Sequence, residues 1–273
     1  MSTVSAACTR RVEHHMGTAV TLHVQDAPPD SVDRFFDEIR SLEGIFSRFR
    51  HDSEVMRLER GELAVDDASP QVREVLVRCE ELRSATGGSF DHRPVVGGHP
   101  ILDPNAIAKG WIIEQAVLQL RLAGVTSYFV NAGGDVMVGA PPAGRRSWRV
   151  GICHPDDLCA VFVKVDLDCG SVATSGRYER GDHIRGSAGA GQRDALTSVS
   201  VVGPELATAD ALATAVFASG EQRPAWWPPD SSYGIIAVTA SGRVRFTDNL
   251  ADGLSFSNQA ITDGATPPPT PFA

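Results

Sequence analysis

No stretch of the sequence approaches the ~20 consecutive apolar residues that a membrane-spanning helix needs. Basic charge is scarce too. There are 25 Lys and Arg against 34 Asp and Glu, a formal net charge of −9, so the basic face expected of a nucleic-acid binder is missing. The N-terminal residues, Met1 to Arg11, lack the apolar core of a secretory signal. The five cysteines (Cys8, Cys79, Cys153, Cys159 and Cys169) are odd in number and include no C-x-x-C pair. They suggest neither a disulfide framework nor a zinc site, and a reducing cytoplasm is the expected setting. No G-x-G-x-x-G opens a helix, which removes the dinucleotide-binding fingerprint.

What is present is ordinary globular material. The chain has 273 residues, 42% of them hydrophobic, enough for a sizeable core. Thr18–Gln25 alternates partially and predicts a strand. Val32, Phe35, Phe36, Ile39, Leu42 and Ile45 recur with helical period over residues 31–46. Ser69-Pro70 reads as an N-cap and first helical position, and Gly87-Gly88 closes the helix that follows. A third helix spans 107–122, ending before Gly124. Strands are expected at Ser127–Val130, Trp148–Ile152, Val161–Leu167, Thr197–Val202, Ile235–Thr239 and Val244–Phe246. The elements mix without strict βαβ alternation, which predicts an α+β fold with much antiparallel sheet. Residues 1–11 are expected to be a flexible N-terminus, 12–257 a single domain, and 258–273 a disordered proline-rich tail.

One carboxylate, Asp210, interrupts the otherwise uncharged helical run Leu206–Ser219. Thr214 lies four residues on, on the same helix face. No Lys or Arg in the run can pair with Asp210, and a buried unpaired carboxylate is costly. A hard cation held by oxygen ligands would satisfy it. Alternatively Asp210 is an N-cap and Thr214 bonds back to its own helix.

Four other segments invite a ligand. Asn131-Ala-Gly133-Gly134-Asp135 is a strand exit into a tight turn that lets a ligand approach the backbone. Asp103 precedes a helix whose first turn is expected to hold Lys109, so free amides and an ammonium offer an anion site. The alternatives are a plain turn and a solvated lysine. Thr174-Ser175-Gly176-Arg177 reads as a hydroxyl-rich turn suited to phosphate, with His183 beyond it as a possible base or a surface histidine. Thr86-Gly-Gly-Ser89-Phe90-Asp91 sets an aromatic and a carboxylate after a helix, or simply caps it.

Taken in order, these pieces resemble the ApbE family of FAD:protein FMN transferases. They are Met16-Gly17-Thr18, Phe46-Ser-Arg-Phe49, Gly88-Ser-Phe90-Asp91, Ile107-Ala-Lys109-Gly110, Asn131-Ala-Gly-Gly-Asp135, Ala173-Thr-Ser-Gly176 and Ala209-Asp210-Ala-Leu-Ala-Thr214. The resemblance implies an ApbE-like (T-fold-like) architecture and a Mg²⁺-dependent reaction. FAD is cleaved, FMN is attached through a phosphoester to a Thr or Ser of an acceptor protein, and AMP leaves. It implies Mg²⁺ ligation by the side chains of Asp210 and Thr214 and the carbonyl of Ala106. Met16, Phe49, Ser89, Phe90, Asp91, Asp103, Lys109, Thr174 and Ser175 would contact FAD, and His183 would be the base. Phe49 stands where the family often has Tyr. The loop after Asp91 is short, and the one after His183-Ile184 is glycine-rich. Hydrolysis of FAD to FMN and AMP, and FAD binding without turnover, are the alternative activities.

Overall fold

The computed structural model describes residues 8–176, 195–256 and 269–272. A nine-stranded sheet runs through it. Its strands are β1 (Cys8–His15), β2 (Thr18–Gln25), β5 (Tyr128–Ala132), β6 (Asp135–Val138), β9 (Gly170–Gly176), β10 (Leu196–Gly203), β11 (Gly234–Thr239), β12 (Val244–Phe246) and β14 (Thr270–Pro271), in that spatial order. Every pairing is antiparallel except β12 with β14. β1 thus takes in residues 8–11, expected in the flexible N-terminus, and β14 lies within the expected tail.

Period-two alternation gives the sheet two buried faces. In β11, Ile235 and Ala237 join one core while Ile236 and Val238 join another. The first core lies under the helices α1 (Ser31–Phe46), α3 (Pro70–Ala85), α4 (Asn105–Leu122) and α5 (Leu206–Ser219). The second lies under a three-stranded sheet of β7 (Trp148–His154), β8 (Asp157–Leu167) and β13 (Leu254–Phe256). A short helix, α2 (Glu54–Glu59), a two-stranded hairpin of β3 (Val95–Val96) and β4 (His99–Pro100), and 3-10 helices at Val65–Asp67 and Asp248–Gly253 complete the described elements. The hairpin turns through Gly97 and Gly98, both at positive φ, and accounts for the short segment after Asp91. The architecture is α+β, as expected.

The helix α5 is apolar nearly all round because it is buried nearly all round. Ala207, Ala209, Ala211, Ala213 and Ala215 are all fully enclosed. Small side chains let it sit close to both the sheet and α4. At the crossing, a Cβ on Gly110 would come within 2.6 Å of the Ala207 backbone, so only glycine fits there.

The N-terminus of α5 is capped from another helix. Its N-cap residue Glu205 makes no side-chain capping bond. Instead the Ala207 N–H donates to Glu114 Oε1 of α4 at 2.8 Å. Glu205 turns to Arg78 Nη2 at 2.7 Å. Losing the Glu114 acceptor should cost about 1–2 kcal/mol, as for other lost helix caps, and urea denaturation of Glu114→Ala checks it. Burial pushes the Glu114 carboxyl up, opposed by the Ala207 N–H bond and the Arg78 charge. With its folded value above its unfolded one, this group's contribution is full below the ordinary glutamate range, about 4.3. It fades as pH rises through the folded value. Glu114→Gln should keep the cap and remove that fall, seen by comparing urea midpoints at about pH 4.5 and about pH 7.

Candidate active site

The hairpin β5–β6 brings the first functional side chain inward. Gly133 and Gly134 make its two-residue turn at φ of 66° and 104°. The Gly134 N–H donates to Asn131 Oδ1 at 2.9 Å. The tight turn foreseen at these glycines is present, and it places Asp135 at the start of β6. Asp135 shares the face of Met137, which belongs to the helix-side core, and is 1% exposed. Its Oδ1 accepts the Thr174 N–H at 3.2 Å.

Lys109 meets it from α4. The ammonium pairs with Asp135 Oδ2 and lies 3.5 Å from Asp210 Oδ2. Asp210 is 3% exposed. Two expectations are thereby corrected. Asp210 is inside α5, which begins at Leu206, so it is not an N-cap; its cationic neighbour comes from a different helix. Lys109 is the fifth residue of α4, beyond the first turn, and it is ion-paired rather than simply solvated.

The Thr174-Ser175 pair also differs from expectation. It lies in strand β9, between β6 and β10, not in a turn. Consecutive strand residues face opposite sides, so the two hydroxyls diverge. Ser175 Oγ reaches Thr214 Oγ1 of α5 at 3.2 Å, whereas Thr174 Oγ1 reaches Ser200 Oγ of β10 at 2.8 Å. Toward the neighbouring strand β6, Thr174 offers its N–H, already given to Asp135. Lys109, Asp135, Asp210, Thr214, Ser175 and the Thr174 amide thus converge where α4, α5 and the middle of the sheet meet.

The donor set fits a hard cation. Asp210, Thr214 and a carbonyl at Ala106 are all oxygen donors. Among the described residues no group of three His, Cys, Asp or Glu side chains forms a metal cage.

The other expected contact residues hold separate positions. Met16 adopts a left-handed φ of 52° and donates its N–H to Glu43 Oε1 at 2.7 Å. Glu43 Oε2 lies 3.0 Å from His15 Nδ1, whose Nε2 lies 3.0 Å from Glu13. This relay was not foreseen from sequence; Glu13 and His15, two apart on one strand, were its only signal. Phe49 is 99% exposed. Its neighbour Arg48 bridges Glu59 at 3.1 Å and Asp103 at 3.5 Å, tying that loop to the start of α4. Ser89 Oγ accepts from Trp226 Nε1 at 3.2 Å, a partner the sequence did not suggest. Phe90 is buried and stacks on His92. Asp91 accepts from the Arg93 N–H at 2.9 Å. Ala106 lies one turn before Gly110 on α4. His183 lies outside the described residues.

Comparison with known proteins gives a consistent result. A model of the ApbE family matches residues 16–97 and 97–236. A FAD:protein FMN transferase of Rhodobacter capsulatus is 32% identical over 182 residues, covering 62% of this chain and 33% of that protein. One from Treponema pallidum is 32% identical over 177 residues, covering 56% of this chain and 48% of that protein. The chain therefore spans a third to about half the length of these curated relatives. Among solved structures, the ApbE protein of Thermotoga maritima superposes with a TM-score of 0.75 at 20% identity, covering 90% of this chain and 99% of that one. The apo flavinyl transferase ApbE of Pseudomonas stutzeri gives 0.72 at 20% identity, covering 93% of this chain and 100% of that one. At this identity these likenesses establish the fold.

Proposed function

The chain belongs to the ApbE family, and from that premise we propose that it is a Mg²⁺-dependent FAD:protein FMN transferase acting on a Thr or Ser of an acceptor protein. The observation that carries this reading is the convergence of Lys109, Asp210, Thr214 and Ser175 at one point. Asp210, Thr214 and the Ala106 carbonyl would hold the ion. The order of contacts between α4 and α5 supports Ala106 in this role. Glu114 and Gly110 meet Ala207, and Lys109 meets Asp210. The helices run in opposite directions past each other, so the next turn of α4, at Ala106, comes toward the turn of α5 between Asp210 and Thr214.

Bound Mg²⁺ supplies charge neutralisation to a pyrophosphate. The remaining work falls to the chain. Lys109 presents a cation toward the phosphates, and Ser175 offers a hydroxyl donor beside Thr214. Met16, Phe49, Ser89, Phe90, Asp91 and Asp103 are proposed to line the rest of the FAD site, and Thr174 to act through its amide. In the proposed reaction the acceptor hydroxyl oxygen attacks the FMN-side phosphorus, the P–O–P bond breaks, AMP leaves with the electron pair, and His183 takes the hydroxyl proton.

Chromatography of FAD incubated with protein and Mg²⁺, with and without a Thr-bearing acceptor, tests the reading. AMP release that requires the acceptor is expected. AMP and free FMN formed equally without acceptor would indicate hydrolysis instead, and intact FAD in both arms would indicate binding alone.

A further inference from the structure

Asp135 carries no assigned role in the chemistry above, yet its ion pair with Lys109 is closer than the contact of Lys109 with Asp210. It is almost fully enclosed, and the Thr174 N–H fixes its Oδ1, leaving Oδ2 for the Lys109 ammonium. The same ammonium stands 3.5 Å from Asp210 Oδ2. One flexible cation is therefore shared unequally between two enclosed carboxylates. Lysine is suited to such sharing, as a compact charge on a four-carbon stem.

We propose that Lys109 is the resident counter-cation of Asp210 and that it exchanges for the divalent ion, withdrawing onto Asp135 as the ion binds. The inference rests on the assignment of Asp210 as a metal ligand. A divalent ion and an ammonium repel each other across one carboxylate, and the longer contact gives way first. Asp135 is a positioning residue: it holds Lys109 in the site after Asp210 has been surrendered. The exchange keeps Lys109 in the site, so the divalent ion raises the local charge by two positive units. An anionic diphosphate is held more favourably after the ion binds than before it. Divalent-ion and FAD binding are then coupled, each strengthening the other.

The signature is a pair of opposite effects on one ion pair. Removing the Lys109 charge removes the ion's competitor; removing Asp135 forces Lys109 onto Asp210. Mn²⁺ alone, without FAD, is titrated into the full chain and the free ion followed by electron paramagnetic resonance. Lys109→Met should bind Mn²⁺ about tenfold more tightly than the wild type, and Asp135→Asn about tenfold more weakly, within the usual range of site coupling. The double variant should bind as tightly as Lys109→Met. FAD fluorescence quenching should show weaker FAD binding by Lys109→Met. Circular dichroism monitors folding, with Lys109→Gln as the second neutral variant. An ion pair of purely structural value would weaken Mn²⁺ binding in both single variants, which overturns the exchange. If Asp210→Asn abolishes Mn²⁺ binding but neither neutral Lys109 variant tightens it, the exchange fails and the metal assignment survives. Unchanged Mn²⁺ binding by Asp210→Asn overturns the metal assignment itself.

Discussion

Asp210→Asn should lower FMN transfer by about a thousandfold or more, the loss expected when several kcal/mol of metal-derived charge stabilisation disappears. The substitution keeps the size of the side chain, so α5 should remain packed. Lys109 keeps its contact with Asp135, so no buried ammonium is stranded. What changes is one charged oxygen in the proposed donor set, whose other members are the Thr214 hydroxyl and the Ala106 carbonyl. Initial rates of acceptor labelling at saturating FAD, over a Mg²⁺ series, measure the effect. A thermal melt close to that of the wild type separates it from misfolding. Half or more of wild-type activity at ordinary Mg²⁺ would remove Asp210 from the metal site.

Gly110→Ala should destabilise the protein by about 1–3 kcal/mol, the usual cost of overpacking a close-packed core. Two effects oppose each other. Alanine is the better helix former by about 1 kcal/mol, and position 110 is well inside α4, so on propensity alone the variant would be more stable. Against this, the new Cβ would stand 2.6 Å from the Ala207 Cα and N, and 2.8 Å from the Leu206 carbonyl carbon. These are backbone atoms, which cannot rotate away as a flexible side chain would. Relief requires α4 and α5 to part. The same parting would carry the Ala106 carbonyl, proposed as a ligand, away from Asp210 and Thr214, so affinity for Mn²⁺ should fall along with the urea midpoint. A variant more stable than the wild type would show that propensity outweighs packing here.

Much of the fold was legible because single elements advertise themselves. The strand Thr18–Gln25 and the helix 31–46 match their expected limits. Ser69 caps α3 by accepting the Val72 N–H at 3.4 Å, with Pro70 behind it. β9 was misread for a physical reason. Its Ser, Thr and Gly residues are favoured in turns, but small side chains also let a central strand accept a close-packed helix, as β9 accepts α5. β1 was missed because its residues are mostly polar and exposed and carry no apolar alternation. At the candidate site, Asp210 and Thr214 were visible as a one-turn pair on an apolar helix. The cation facing Asp210 was not, because Lys109 belongs to a different helix and only the α4–α5 crossing joins them. Asp135 appeared in the sequence as part of a glycine turn; its ion pair with Lys109 required the tertiary structure.

The most direct test is the intact mass of a Thr-bearing acceptor after incubation with this protein, FAD and Mg²⁺. Transfer predicts a covalent increase equal to FMN less one water, dependent on Mg²⁺, lost when the acceptor Thr is replaced by Ala, and lost with Asp210→Asn. An acceptor of unchanged mass while FAD is converted to free FMN and AMP, or while FAD remains bound and intact, would contradict transfer.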